Sequence, residues 1–169
     1  MTWSPQVAMG DNEIDRFLNQ KLVARAATIR EDGYPHVTPL WYFWDGQYLY
    51  FILGAGARPR QHIANLRRDP KITVCIDRDT RPEAGPKRDP GLRGAQAVLI
   101  RGRAKLLTDV KTQIDITRRV LGRYGFGKYV DAALEDGKPG KNRVVAKIEP
   151  EKIIAWNFEK YAKVYKGKK

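Results

Sequence analysis

Residues 22–53 decide most of what this chain can fold into. Three runs rich in β-branched and aromatic residues, LVARAATIRE, PHVTPLWYFWD and QYLYFIL, are punctuated by EDGYP and by Asp45-Gly46. Asp-Gly pairs supply the positive φ of tight β-turns, so the runs read as consecutive hairpin strands. The third run leads into a different joint, GAGARPRQHIANLRRDP. There Gly54 and Gly56 let the backbone approach a ligand closely, and Arg58 and Arg60 place charge at the start of a predicted helix. Two readings of that joint stand: a phosphate site, or a plain strand-to-helix turn with solvated arginines.

Within PHVTPLWYFWD both faces are apolar, which suits a strand inside a barrel or at a subunit contact. Pro39 lacks an N–H, so in mid-strand it marks an edge or a bulge beside a site. Further on, KITVCID and AQAVLIRGRAKLL read as strands, as do RVVAKIEP and KIIAWNFE near the end. Three helices are predicted. The first is capped by Asp11, with Ile14, Phe17 and Leu18 on one face. The second covers Arg60 to Arg67 with Ile63 and Leu66 inward, and the third starts at Asp109 with Val110, Ile114, Leu121 and Tyr124 at helical spacing. Residues 79–94, DTRPEAGPKRDPGLRG, have no apolar periodicity and read as a long loop, a candidate lid. Strands joined mainly by hairpins, with few helices, predict a mainly β antiparallel barrel with peripheral helices, and residues 1–169 suit a single domain.

Composition narrows the chemistry. The chain carries 32 Lys and Arg against 19 Asp and Glu, a net charge of +13 that attracts anions. The basic residues are dispersed through the glycine loop, through Lys87, Arg88 and Arg93, and through the tail YAKVYKGKK. Nucleic-acid binding needs a contiguous basic stripe and is therefore the weaker reading of that charge. Cys75 is the only cysteine, so no internal disulfide or cysteine metal cage is available, and its strand context predicts core packing. With only His36 and His62, a multi-histidine metal site within one chain is excluded and no metal is expected. Either histidine could serve as an acid, a base or an axial haem ligand, or simply as a polar residue at a strand or helix start. There is no G-x-S-x-G elbow, Walker loop, H-E-x-x-H motif or evident carboxylate pair, so no catalytic residue is assigned. No apolar run approaches the roughly 20 residues of a membrane span, and the N-terminus lacks a signal peptide's order, so the expectation is a cytoplasmic protein without membrane contact.

The order of these elements carries a resemblance. The stretch ATIREDGYPHVTPLWYFWDGQYLYFILGAGARPRQHIANLRRDPKITVCID, followed by AQAVLIRGRAKLL, resembles the pyridoxamine 5′-phosphate oxidase-like split-barrel flavoproteins over about residues 11–158. Its most specific pieces are xTxxxDGxPxVxPxWY and the basic loop running into NLRRDP. The resemblance implies a six-stranded antiparallel split barrel, FMN-binding split-barrel type, and a homodimer with the cofactor at the subunit interface. That cofactor is flavin mononucleotide (FMN), or alternatively a deazaflavin. It also implies that the backbone at Thr38, Pro39, Leu40 and Trp41 lies along the ring system; the side chains of Trp41, Tyr42, Phe43 and Trp44 are then available to cover it, with core packing the alternative role for at least half of them. Arg58, Arg60, Gln61 and His62 would hold the phosphate. Relatives often show a Ser-Arg-Lys-like trio just before the helix, where this chain has Arg60, Gln61 and His62. Gln96 falls near a ribityl-contacting position, and Trp156 near a C-terminal aromatic that reaches the partner's flavin. The tail does not reproduce the basic residues with which the oxidases hold pyridoxamine phosphate. The expected function is therefore an FMN-dependent oxidoreductase acting on another small organic substrate, with NAD(P)H or a reduced deazaflavin as donor. The alternatives are a deazaflavin-dependent reductase, or a non-enzymatic binder of haem or nucleic acid.

Overall fold

The structure is a computed structural model that describes residues 5–54, 60–79 and 95–160. The predicted phosphate residue Arg58, Gly56, nearly all of the candidate lid and the tail beyond residue 160 lie outside the described residues. Seven strands form one antiparallel sheet: β1 (Ala24–Ile29), β2 (Pro35–Leu40), β3 (Tyr42–Trp44), β4 (Leu49–Gly54), β5 (Lys71–Asp79), β6 (Ala95–Leu107) and β7 (Arg143–Asn157). Their order across the sheet is β2-β1-β5-β6-β7-β4-β3.

That order forces the sheet to curl. β2 and β3 occupy opposite edges, yet Trp41 alone separates Leu40 from Tyr42. Flat, a seven-stranded sheet would hold its edges about 29 Å apart, whereas two chain steps span at most about 7 Å. The edges meet at Trp41, and the result is a split-barrel fold that is mainly β. The count of seven, where six strands were expected, follows from this closure: the run PHVTPLWYFWD is not one strand but two, broken where the chain passes from one edge to the other. Pro39 accordingly sits on the edge strand β2, where its missing N–H costs no ladder bond. In contrast RVVAKIEP and KIIAWNFE are one strand. β7 runs through Pro150, and a bulge opposite Arg101 and Gly102 takes up the irregularity.

Alternation along each strand fills the barrel. Ala24, Ala26 and Thr28 of β1 and Ile72, Val74 and Ile76 of β5 point inward, joined by Tyr42, Phe51, Leu53, Ile100 and Ile148. Cys75 falls on the opposite parity. It is half-buried on the outer face, not in the core, and burial raises its thiol pKa. Helix α1 (Asp11–Leu18) closes one end with Phe17 and Leu18, and Trp44 Nε1 donates to Asp15 Oδ1 at 2.9 Å to tie it to β3. The cap of α1 is Gly10, not Asp11: Glu13 reaches back to accept from the Gly10 amide at 3.0 Å, leaving Asp11 in the first turn, where the helix dipole favours it.

Helix α2 (Gln61–Arg68) buries Ile63 and Leu66 and ends at Asp69. Helix α3 (Val110–Arg123) is capped by Asp109, which accepts from the Thr112 amide at 2.8 Å. Its buried face is Gln113, Ile116, Thr117 and Val120, while Val110 is exposed. Ile116 and Val120 pack on Val145 to cover the outer face of β4 and β7. A further helix, α4 (Val130–Gly137), which the sequence pattern did not announce, follows a 3-10 turn at Gly127–Tyr129.

Candidate functional site

The start of α2 meets the inward side of β2. Along β2, His36, Thr38 and Leu40 are half-buried and alternate with exposed Pro35, Val37 and Pro39. Thr38 Oγ1 and His36 Nε2 are hydrogen-bonded at 3.1 Å, and the His36 ring stacks on His62 of α2 with centroids 6.3 Å apart. Below them runs a polar relay: Gln61 Nε2 donates to Asn65 Oδ1 at 2.8 Å, and Asn65 Nδ2 donates to Thr28 Oγ1 at 2.9 Å. Asn65 is fully buried, so this chain of bonds fixes the first turn of α2 against β1.

Arg60 caps α2 and lies over Gly54, the last residue of β4, where a Cβ would stand 3.3 Å from Arg60 Nε. Any larger residue at 54 would push the guanidinium aside. His62 is only 5% exposed, and its Nε2 is buried without a partner. Burial depresses the His62 pKa, with the nearby His36 and Arg60 adding to the effect, so the ring is held neutral. A cationic cap, orphan amides of a helix's first turn and a buried ring nitrogen with spare capacity together suit an anion.

Pro39, Leu40 and Trp41 line one side of a cavity of about 340 Å³ whose other wall is Ile52, Val120, Leu121 and Arg143. Of the four aromatics expected near a ring, Tyr42 and Trp44 belong to the core and Phe43 packs under α3, which leaves Trp41, 39% exposed, facing solvent. Gln96 and Trp156 lie elsewhere. Gln96 pairs with Arg78 at the far end of β5 from Ile72, the residue opposite Thr28, a separation of six residues or about 20 Å. Trp156 pairs with Ala97 beside it. One chain therefore brings together Thr38, Arg60, Gln61 and His62, adds Pro39 to Trp41 along the adjoining cavity, and leaves Gln96 and Trp156 outside. A larger cleft of about 820 Å³, between α1, the β3–β4 turn and the middle of β7, holds Trp44 but none of the other residues expected at the cofactor.

The structure also shows residues that sequence reasoning did not select. Asn65 carried a local signal, since Gln61 and Asn65 are spaced i,i+4 on one helix face. Arg143 carried none: it reaches the site because β7 pairs Arg143 with Gly54, a register no local pattern encodes. Among the described residues no three His, Cys, Asp or Glu side chains converge as metal ligands.

Comparison with known proteins agrees with this architecture. A conserved hypothetical protein from Mycobacterium tuberculosis is similar with a TM-score of 0.74 and 26% identity, over 96% of this chain and 93% of that one. An FAD-binding protein from Mesorhizobium loti is similar with a TM-score of 0.59 and 26% identity, over 88% and 95%. An F420 reductase shares the fold at a TM-score of 0.56 and 20% identity, over 82% and 94%. Residues 11–157 match the sequence profile described as pyridoxamine 5′-phosphate oxidase, which spans the whole sheet and the start of α2, and the chain belongs to that family.

Proposed function

We propose that this chain is an FMN-dependent oxidoreductase that works as a homodimer, passing hydride or electrons between a nicotinamide or deazaflavin donor and a small organic acceptor. The observation that carries the reading is the convergence of Arg60, Gln61 and His62 with Thr38 at the start of α2. A phosphate there meets a guanidinium suited to charge-assisted bonds, first-turn amides and a buried imidazole nitrogen that otherwise lacks a partner. These residues fit the phosphate end of a flavin nucleotide, and the backbone from Thr38 to Trp41 leads from it toward the ring, with the Trp41 side chain beyond.

When bound, a flavin supplies the redox chemistry from its own ring, which is why no catalytic triad is needed. The chain's task is to hold and orient it. Arg60 and the α2 amides bind, Thr38 and His36 fix the wall, and the Asn65 relay keeps the helix start in register. Gln96 and Trp156, remote within one chain, join the site from the partner subunit across the interface. A second reading keeps the same residues but exchanges the cofactor for a deazaflavin. It is favoured by the similarity to an F420 reductase and by a net charge of +13 that suits a longer anionic tail.

The deciding experiment is the absorption spectrum of the purified protein, with mass identification of the chromophore released on denaturation. A flavin spectrum and the mass of FMN are expected. A deazaflavin would favour the second reading, a Soret band would favour haem, and a colourless protein that takes up none of these in equilibrium dialysis would overturn the flavin assignment.

A further inference from the structure

We propose that the cavity between the β2–β3 link and α3 is a binding site for flat aromatic carboxylates, with Trp41, packed against Phe126, as its stacking surface and Arg143 as its anion anchor. It rests on the function proposed above only in being that enzyme's acceptor site. A volume of about 340 Å³ falls within the range of small-ligand pockets, about 300–1,000 Å³.

Its aromatic side is built and held. Trp41 stacks on Tyr124 with centroids 4.7 Å apart and planes within 7°, meets Phe126 tilted by 31° at 5.0 Å, and the row continues from Phe126 to Tyr129 at 6.0 Å. Tyr124 cannot swing away, because its hydroxyl donates to the Leu22 carbonyl and lies 3.4 Å from the Tyr42 amide. Trp41 is thereby oriented before any ligand arrives, which lowers the entropy lost on binding. Phe126 and Tyr129 nevertheless remain exposed, and a contiguous row of exposed aromatics marks a place where something planar settles.

The opposite end is cationic. Arg143 donates through Nη2 to the Ala133 carbonyl at 3.0 Å and lies flat against Gly137, where any Cβ would collide with it. None of the ion pairs among the described residues includes Arg143. A positioned guanidinium with no carboxylate partner among the described residues, at the edge of an apolar cavity, suits a ligand carboxylate bidentately. Arg60, across Gly54 from it, raises the positive potential and disfavours cationic ligands.

The test uses full-length protein with and without FMN, and 2-naphthoate, 2-naphthamide and 2-naphthylmethylammonium as probes followed by tryptophan quenching and saturation-transfer NMR. Naphthoate should bind about tenfold more tightly than the ammonium isostere. Arg143→Gln should erase that preference and Arg143→Lys should keep part of it, which separates anchoring from loss of folding. Phe126→Ala should weaken all three probes about fivefold. Naphthoate binding that persists with FMN bound supports a separate acceptor site, whereas mutually exclusive binding makes the cavity part of the cofactor site and overturns the proposal. A preference that survives Arg143→Gln also overturns it. Selective naphthoate binding by protein that takes up no FMN would uphold the cavity assignment and sink the flavin reading instead.

Discussion

A buried imidazole nitrogen without a partner makes His62 the most informative single residue. Its pKa in the folded chain is depressed by burial, then by His36 and Arg60. The unfolded chain, with an ordinary histidine near pH 6.5, takes up the proton first. The stability contributed by neutral His62 is therefore complete above about pH 6.5 and is lost as the pH falls below it. Urea unfolding from pH 7.5 to 5 should show that decline, and His62→Gln, which does not titrate, should flatten it; an unchanged slope would exclude His62 as the cause. Arg60 makes the complementary prediction. It is exposed and its side chain caps no helix amide, so Arg60→Ala should leave the stability of the cofactor-free protein nearly unchanged. FMN binding should weaken about tenfold or more, with riboflavin, which lacks the phosphate, much less affected. Calorimetric titration of both ligands decides it, since equal losses would remove the phosphate from this position.

At the scale of elements, two glycines predict opposite signs. Gly102 sits where β6 meets the bulge in β7, and a Cβ there would overlap the Glu149 carbonyl, which is backbone and cannot turn aside. Gly102→Ala should cost about 1–3 kcal/mol in urea unfolding. Gly122, inside α3 with open space around it, should stabilise by about 0.5–1 kcal/mol when changed to Ala. If both changes are neutral, the bulge is not packed as described. The elements were legible where chemistry is local: the Asp-Gly turns, with Gly33 at φ 83° and Gly46 at φ 97°, the Asp109 cap, and the full extent of β6. They were not legible where distant contacts decide. The buried face of α3 includes Gln113 and Thr117, polar residues satisfied inside: Gln113 donates to the Thr108 carbonyl at 2.8 Å and accepts from the Gly140 amide at 2.7 Å. Apolar spacing alone therefore pointed to the wrong stripe. The break at Trp41 and the arrival of Arg143 beside Gly54 both follow from barrel closure and strand register, which no window of sequence contains.

For the whole molecule, the two outer faces of the sheet differ. The face of β4 and β7 is covered by α3, whereas that of β2, β1 and β5 carries no helix among the described residues. There Ala27 lies between Val37 and Thr73, with Ile29 and Pro35 alongside. Val37 is 57% exposed, and an apolar strand edge left open in this way invites pairing or packing with a second copy. The homodimer proposed above would use this face, and it would let Gln96 and Trp156 of the partner subunit reach a cofactor held at Arg60. Sedimentation should give a species of twice the 19.3 kDa chain mass. Val37→Lys removes no buried contact within the chain, so its secondary structure should be retained while the species falls to a single chain mass. FMN affinity should fall with it, because each site would lose the residues its partner contributes. A Val37→Lys protein that stays dimeric would place the interface on another face. A monomer that binds FMN as tightly as before would show that one chain completes the site, and that Gln96 and Trp156 have no part in it.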